Sequence, residues 1–430
     1  MELIHFIQKF LYQKMSDSKS KLPKGAWRIL VLLFIVGALN YLDRTTITTM
    51  RFSIVESIPM TDAQFGLLSS VFLWVYGLLS PFAGFLADRF SRSKVIIFSL
   101  FVWSLVTWLT GYARTYEELL ATRALMGISE ACYIPAALSL IVDYHRDSTR
   151  SLATGIHMTG VMVGQSLGFI GGWIAEVHSW NFVFIIFGVI GISYSVILLF
   201  FLKDAPDQDG KDDAIKMNKS DVRIWNAFKY LFAQRSFILL LVFLGIAGFV
   251  TWIVVAWLPT YYKEFFNLSQ TKAGFYATAY LYPASIVGLL LGGFWTDCWS
   301  SKNKYARFLV PAIGLCIAAP CIFIGSYTTV FALTIVFFMG YGLTKMFVDS
   351  NLMPMLCLII DSRYRATGYG ILNMFATIVG GIGIYLAGAL RDSQINLRVV
   401  YQFASLSLIV CVVLLWMMKR NLSAKEKNAL

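Results

Sequence analysis

Two charged residues stand side by side in an otherwise apolar stretch near the start of the chain. Asp43 and Arg44 close the segment Asn-Tyr-Leu-Asp-Arg, and the stretch around them, about 26–50, is predominantly apolar. A charge at the centre of a bilayer costs at least ~2.5 kcal/mol on insertion scales, so an ionisable residue inside a spanning helix usually has a functional role. Because neighbours on a helix point about 100° apart, we expect each residue to find its partner on another helix. A purely structural ion pair between helices is the alternative.

A later apolar stretch carries a second set of charges at helical spacing. Arg123, Gly127 and Glu130 stand at i, i+4 and i+7, which places them on one helical face. Gly127 would let another helix approach that face closely. Arginine offers a bidentate contact to a carboxylate, and a buried carboxyl group beside arginines can exchange a proton near neutral pH. The chemistry available to these residues is anion binding and proton transfer.

Long apolar helices are needed to position these charges, and the composition indicates a polytopic membrane protein. Of the 430 residues, 58% are hydrophobic and 14% charged, against about 45–50% apolar and 25% charged in soluble proteins. Twelve stretches are long enough to span a bilayer: 26–50, 64–87, 94–112, 119–142, 151–175, 181–202, 237–258, 273–297, 307–326, 330–358, 366–389 and 399–418. The predicted fold class is therefore all-α, with twelve transmembrane helices in two six-helix bundles.

The basic residues are distributed unevenly between the two sides of this topology. Most of the 36 Lys and Arg fall in the two tails and in the loops on the same side as the tails. Basic loops face the cytoplasm, so we expect both termini there, in a multi-pass protein of the cell (inner or plasma) membrane. The net charge of +12 then reflects topology, and we expect the lipid bilayer, not nucleic acid, as the macromolecular partner.

The chain divides into two similar halves. We expect a cytoplasmic N-terminal tail at 1–25, a first bundle at 26–202, a cytoplasmic linker at 203–236, a second bundle at 237–418 and a cytoplasmic C-terminal tail at 419–430. The pattern Gly-x-x-x-Asp ends the second span at Gly84 and Asp88 and recurs at Gly293 and Asp297 after the eighth. Transporters with such repeats bind substrate between the halves near the midplane.

The loop after the second span resembles the signature Gly-x-x-x-Asp-Arg-x-Gly-Arg-[Lys/Arg] of the major facilitator superfamily. The matching residues are Gly84, Asp88, Arg89 and Arg92. Ser91 departs from the signature because it replaces a glycine. The resemblance implies a gating loop whose charges and helix ends hold the cytoplasmic side closed, and Asp297 is the corresponding acid of the second half.

Further motifs narrow the resemblance to the anion:cation symporter family, whose members take up hexuronates, sugar acids and sialic acid with protons. These motifs are Asn-Tyr-Leu-Asp-Arg at 40–44, Arg-x-x-x-Gly-x-x-Glu-Ala at 123–131 and Trp-Leu-Pro-Thr-Tyr at 257–261. By position, the resemblance implies that Arg44 binds the substrate carboxylate. It also implies that Asp43 and Glu130 carry protons and that Arg123 tunes them.

Other polar and aromatic residues would contact the rest of a hydroxylated substrate. The candidates are Tyr41, Tyr76 and Gln165 in the first half, and Tyr280, Tyr282 and Asn373 in the second. Packing or an interfacial position is the competing interpretation for each tyrosine. Lys345 would offer a second positive charge to the cavity, or would pair with Asp349 four residues later on the same helix.

The resemblance to the anion:cation symporter family implies a proton-coupled importer of a small organic anion such as a hexuronate, aldonate or sialic acid. We expect it to work by alternating access and to function as a monomer. A Spinster-like carrier of lysolipids or lipids shares the motifs of the first and fourth spans and remains an alternative. A sugar-phosphate antiporter is less favoured, because such exchangers of the family typically have an arginine in the seventh span, which here has no Lys or Arg. A non-transporting membrane sensor is the last alternative.

No catalytic or cofactor chemistry is expected. The four histidines are scattered along the chain, which disfavours an enzyme. The six cysteines show no Cys-x-x-Cys pattern, so neither a metal site nor a disulfide is predicted.

Overall fold

The computed structural model describes residues 22–23, 25–145, 149–205 and 224–427, without the side chains of 84–88, 224–227, 362, 366 and 424–427. Most of the predicted N-terminal tail and the linker residues 206–223 lie outside the described residues. The predicted boundaries of the tails, bundles and linker therefore stay predictions.

Twelve long helices form the described part of the protein. They are α1 (Ala26–Thr49), α2 (Asp62–Arg89), α3 (Arg92–Thr110), α4 (Tyr116–Tyr144), α5 (Arg150–Val177), α6 (Trp180–Phe201), α7 (Arg235–Phe266), α8 (Gln270–Ser300), α9 (Ala306–Tyr327), α10 (Phe331–Ile359), α11 (Arg365–Asp392) and α12 (Leu397–Lys427). Short helices at Arg51–Ser57 and Ile224–Ala233 and a 3₁₀ turn at Ser362–Tyr364 lie between them. Each long helix can cross a membrane by length and composition, which confirms the predicted fold class.

Proline interrupts two of these helices. The segments of α4 are Tyr116–Glu130 and Tyr133–Tyr144, and those of α8 are Gln270–Thr278 and Leu281–Ser300. Pro135 and Pro283 each follow the break, because a proline ring clashes with the carbonyl four residues earlier and has no N–H to bond it. Those carbonyls belong to Ala131 and Ala279, inside the two breaks. As a result, Glu130 stands at the end of a helical segment.

Small residues bring α5 close to α1. A Cβ added at Gly164 would lie 2.0 Å from the carbonyl oxygen of Ala38, and one at Gly160 would lie 2.6 Å from that of Phe34. Real side chains never approach a carbonyl so closely, so only glycine permits this packing. Since α5 holds one side of α1, the charged segment of α1 faces α2, α3 and α4.

The two halves meet through α2 with α11 and through α5 with α8. These pairs are equivalent in the internal repeat, because α8 and α11 correspond to α2 and α5. Ser70 of α2 donates a hydrogen bond of 2.7 Å to the carbonyl of Gly381, and Trp74 donates one of 3.1 Å to that of Ile378. The contacts follow the first half of α2 and the last half of α11.

We call the membrane side where α1 begins and α12 ends the terminal side, and the opposite one the far side. The contacts between α2 and α11 lie toward the far side. Toward the terminal side, a Cβ added at Gly155 of α5 or Gly370 of α11 would meet no described atom of another helix within 4 Å. Tyr369 and Asp349 are exposed there. The contacts named between the halves therefore lie on the far side, whereas these described residues on the terminal side are uncovered. We call the space between the halves on the terminal side the central cavity.

Candidate functional site

Arg44 and Glu130 form a buried ion pair inside the first half. Nε of Arg44 donates to Oε2 of Glu130 at 2.6 Å. Arg44 is 8% exposed and Glu130 is fully buried. The partner of Arg44 thus lies on another helix, α4, as the position of the charge in α1 predicts.

Three aromatic rings surround the guanidinium of Arg44. Its central carbon lies 4.5 Å from the ring centroid of Tyr41, 4.4 Å from that of Tyr76 and 5.0 Å from that of Phe72. Cation–π contacts stabilise a desolvated cation by ~2 kcal/mol or more. Because a cation–π contact is made with the face of the aromatic ring, the rings stabilise the charge without serving as hydrogen-bond acceptors for a carboxylate-like contact.

Several polar atoms of this cluster have no hydrogen-bond partner among the described residues. They are Nη2 of Arg44, Oε1 of Glu130 and Nε of Arg123. Leaving a buried polar atom unpaired costs ~1–3 kcal/mol. A carboxylate or a water molecule could accept hydrogen bonds from the two arginine nitrogens, and a proton or a water molecule could bind the glutamate oxygen. The cluster can therefore bind a ligand without first breaking these hydrogen bonds.

Asp43 and Arg123 complete the cluster of four charges. Asp43 is 6% exposed, and its Oδ2 accepts a hydrogen bond of 3.5 Å from Thr107 of α3. Arg123 is 1% exposed and close enough to interact electrostatically with Asp43 and Glu130. Gly127 allows this arrangement, since a Cβ there would lie 2.8 Å from a carbonyl of α2. Two positive and two negative groups therefore share one enclosed region, where a single proton changes the charge balance.

The second half brings another ion pair to the central cavity. Lys345 contacts Asp349 at 2.6 Å on the same helix, which is one of the two arrangements expected from their spacing. Tyr369 of α11 is close enough to interact electrostatically with both Asp349 and Tyr76, and Tyr41 also interacts with Tyr369. Asp349 thus lies near Tyr369, which in turn lies near two of the rings around Arg44. Substrate binding by Lys345 stays a prediction.

The remaining candidates occupy different environments. Tyr282 is buried and lies beside Thr45, next to Arg44 in the chain. Gln165 and Asn373 are half-buried. Tyr280 is exposed and stacks on Tyr276 with ring centroids 5.6 Å apart, close to Phe275. Their roles in substrate binding stay predictions.

Sequence reasoning did not nominate Asn40, Phe72 or Tyr369 as site residues. Asn40 stands four residues before Arg44, so the helical spacing placed it on the same face, and it lies close to Glu130. Phe72 contacts the guanidinium groups of both Arg44 and Arg123. No sequence signal separates Phe72 or Tyr369 from the many other aromatic residues.

The loop between α2 and α3 makes its contacts within the first half. Arg92 forms an ion pair with Asp143 at the end of α4. Ser91, which replaces the glycine of the family signature, caps α3 and donates to the carboxylate of Asp204 at 2.5 Å. The backbone N–H of Ser93 donates to the same carboxylate at 2.8 Å. The substituted serine therefore anchors the loop to the end of α6.

The structure gives less information about the other predicted gating residues. Arg89 and Asp297 are exposed. The side chains of Gly84 and Asp88 lie outside the described residues. A gating role for this loop stays a prediction.

Two arginines and two acids link the two halves through ion pairs on the far side, and sequence reasoning did not find them. Arg391 of α11 contacts both carboxylate oxygens of Glu264 at 2.8 Å and one of Asp62 at 2.9 Å. Arg51 pairs with Asp62 and lies 3.6 Å from Glu264. Both guanidinium groups also lie within 5.7 Å of the ring centroid of Trp257. We call these four charges the far-side network.

Comparisons with known proteins agree with the described fold. Residues 33–348 and 266–430 match the family model described as Major Facilitator Superfamily. The chain is 28% identical over 384 residues to protein spinster homolog 3 of Danio rerio, across 84% of this chain and 76% of that protein. It is also 28% identical over 388 residues to a D-galactonate transporter of Escherichia coli, across 83% of this chain and 87% of that protein.

Solved structures share this fold. A bacterial homologue of the human lysosomal transporter Spinster, in an inward-facing and occupied conformation, superposes with a TM-score of 0.75. The two chains are 22% identical, and the match covers 91% of this chain and 96% of that one. The relative named for a sugar acid and the protein spinster homolog are each 28% identical to this chain, so the sequence identity does not separate the two kinds of relative.

Proposed function

Because the chain belongs to the Major Facilitator Superfamily, we propose that this secondary transporter imports a small organic anion together with protons. The proposed substrates are hexuronates, aldonates and sialic acid. One relative is named as a transporter of D-galactonate, which is an aldonate. The observation that carries the proposal is the state of Arg44. Its guanidinium is buried and, among the described residues, contacts one acid through one nitrogen and has no hydrogen-bond partner for Nη2.

The ion pair of Arg44 with Glu130 supports a coupling mechanism. Protonation of Glu130 removes the charge that holds the guanidinium, which then binds the substrate carboxylate through two parallel hydrogen bonds. The empty carrier and the carrier with one proton and one anion have the same net charge in the cluster. A carrier that has bound only the proton or only the anion holds an uncompensated buried charge, which is costly at low dielectric. Half-loaded carriers therefore close poorly, and substrate and proton move together.

Asp43 and Arg123 are proposed to adjust the charge balance around Glu130 during this exchange of a proton and a substrate anion. Arg123 interacts with both acids without a direct ion pair among the described side chains. It therefore balances the charge of whichever acid is ionised. Asp43, bonded to Thr107, is the second candidate proton carrier.

Alternating access would move residues 26–202 against residues 237–418. We propose that the terminal side is the cytoplasmic side, so the described conformation is open to the cytoplasm. Opening to the outside then requires the far-side network to break while the halves close on the terminal side. The tyrosines at 41, 76, 280 and 282, the amides at 165 and 373, and Lys345 would contact the substrate hydroxyl groups and any second acidic group.

A Spinster-like lipid carrier is the second candidate function. The chain is as similar to protein spinster homolog 3 as to the D-galactonate transporter, and the phosphate of a lysolipid would also bind Arg44. Such a carrier needs a cavity wall that accepts an acyl chain, whereas a sugar-acid carrier needs hydrogen-bonding groups around the substrate. Uptake measurements separate the two directly.

The test is uptake of labelled hexuronates, aldonates, sialic acid and lysophospholipid into proteoliposomes, with and without an inward proton gradient. We expect one acid to be taken up faster with the gradient. Glu130→Gln should abolish that acceleration while retaining exchange of substrate across the membrane, because the neutral amide imitates the protonated acid. Glu117→Gln, an exposed position on the same helix, is the matched control. Transport of lysophospholipid alone would replace this function with the Spinster-like one.

A further inference from the structure

A long apolar groove lies on the outer surface of the first half, between α3 and α4. Its volume is about 450 Å³. Its walls are formed by Val95, Phe98, Val102 and Val106 of α3 and by Leu125 and Ile128 of α4. The α3 residues recur at helical spacing from Val95 to Val106, so the groove follows that helix for about 16 Å. Its shape suits a chain rather than a compact ligand.

The groove faces the lipid. Phe98 is 70% exposed, Leu125 48% and Ile128 50%, and in a helix that spans a membrane such apolar side chains contact acyl chains. The polar atoms in its floor are already used, because Ser99 donates to the carbonyl of Ser129 at 2.5 Å. The groove therefore offers dispersion contacts along its length and few hydrogen bonds.

The terminal-side end of the groove is basic. Lys94 lines that end and is exposed, and the ion pairs between described residues do not include it. The amide at the start of α3 that could bind an anion is occupied, since Ser93 N–H donates to Asp204. Lys94 is therefore the group left for an anion at the level of the lipid headgroups.

We propose that this groove binds one anionic phospholipid from the terminal-side leaflet, with an acyl chain between α3 and α4 and the phosphate at Lys94. The ligand matches the groove in both parts, because it joins an apolar chain to a single anionic end. This lipid is a bound component and not the transported substrate, so the assignment does not depend on the proposed function.

The position of the groove indicates what such a lipid does. The floor residue Ser129 precedes Glu130, and the wall residue Val106 precedes Thr107, which bonds Asp43. An acyl chain there lies directly behind the buried charges. It supports the packing of α3 on α4 and keeps water away from the cluster.

The test is native mass spectrometry of the purified full-length protein titrated with dioleoyl phosphatidylglycerol in detergent. We expect wild type to retain one lipid that Val102→Trp loses, because the indole fills the groove. Phe101→Trp is the matched control, since Phe101 is exposed on α3 but does not line the groove. Lys94→Gln should raise the half-saturating lipid concentration about fivefold. Lys302→Gln, an exposed lysine in the equivalent loop of the second half, should leave it unchanged.

Three outcomes would overturn the assignment. Retention of the same number of lipids by Val102→Trp as by wild type would show that the lipid binds elsewhere. An unchanged titration of Lys94→Gln would remove the headgroup contact, and this surface variant reports even if the tryptophan variant folds poorly. Equally tight binding of phosphatidylcholine or of oleate would show that an anionic phospholipid is not selected.

Discussion

The proposed role of the buried charges in the first half rests on how few groups can pair with each of them in an enclosed space. Within the described part of the chain, Arg44 has one direct acidic partner and three aromatic rings around it. The rings hold the cation but cannot replace a carboxylate as a hydrogen-bond acceptor. The acid that leaves Arg44 must therefore be exchanged for another anion, which is the physical basis of the proposed coupling.

Arg44→Lys tests whether the guanidinium geometry binds the substrate. A lysine keeps the charge but loses the paired N–H groups and the flat contact with the rings. Losing one charge-assisted hydrogen bond costs ~1.5–3 kcal/mol, so the substrate concentration for half-maximal uptake should rise about 10- to 100-fold. Arg114→Lys, at an exposed position, should leave it unchanged. A lower maximal rate at an unchanged half-maximal concentration would assign Arg44 to the conformational change instead.

At the scale of the helices, glycine and proline positions determine how close the charges come. The break after Glu130 follows from Pro135, and the contact of α4 with α2 follows from Gly127. The contact of α5 with α1 follows from Gly164 and its neighbours. Each of these is a local backbone property with a consequence for a distant side chain.

Gly164→Ala should destabilise the protein, because the added methyl group would lie 2.0 Å from the carbonyl oxygen of Ala38. Overpacking of this kind costs ~1–3 kcal/mol. Gly155→Ala lies on the same helix with no atom within 4 Å of its added carbon, and alanine favours a helix more than glycine does. Thermal unfolding followed by intrinsic fluorescence should show a lower melting temperature for Gly164→Ala alone. An equal loss in both variants would show that the close contact of α5 with α1 is not the cause.

At the scale of the whole molecule, the conformation follows from where the two halves touch. The far-side network, the α2–α11 contact and the α5–α8 contact all close the far side. Alternating access requires these contacts to be of limited strength, because the same two halves must separate there in the opposite conformation. Alternating charges between two surfaces meet this requirement, since water can solvate them once the surfaces part.

Asp62→Asn should shift the protein toward an opening on the far side. The variant removes the carboxylate that lies between Arg51 and Arg391, so two arginines then share one acid. With spin labels at Glu56 and Lys272, which are exposed on opposite halves, pulsed electron resonance should show a larger population at long distances.

The matched control for this measurement is Glu117→Gln, which removes an exposed acid outside the far-side network. Its distance distribution should equal that of the unsubstituted labelled protein. An unchanged distribution for Asp62→Asn would show that helix packing alone keeps the far side closed.

The amino-acid sequence by itself determined the twelve helices, because the apolar length needed to cross a bilayer is a local property of the chain. It also identified Arg44, Asp43, Arg123 and Glu130, since a charge inside an apolar span is rare whatever the packing. The lysine at 345 was found for the same reason, and its spacing to Asp349 gave the ion pair that the structure shows as one of two possible arrangements.

Only the tertiary structure decided which groups meet. Arg44 pairs with Glu130, which is 86 residues away along the chain, because the packing of α1 on α4 sets that distance. The ring of Phe72, the far-side network and the groove beside Lys94 combine residues whose sequence context is ordinary for helix ends and membrane surfaces. Which side of the molecule is open depends on contacts between the halves, and these form from helix faces that no local pattern pairs with one another.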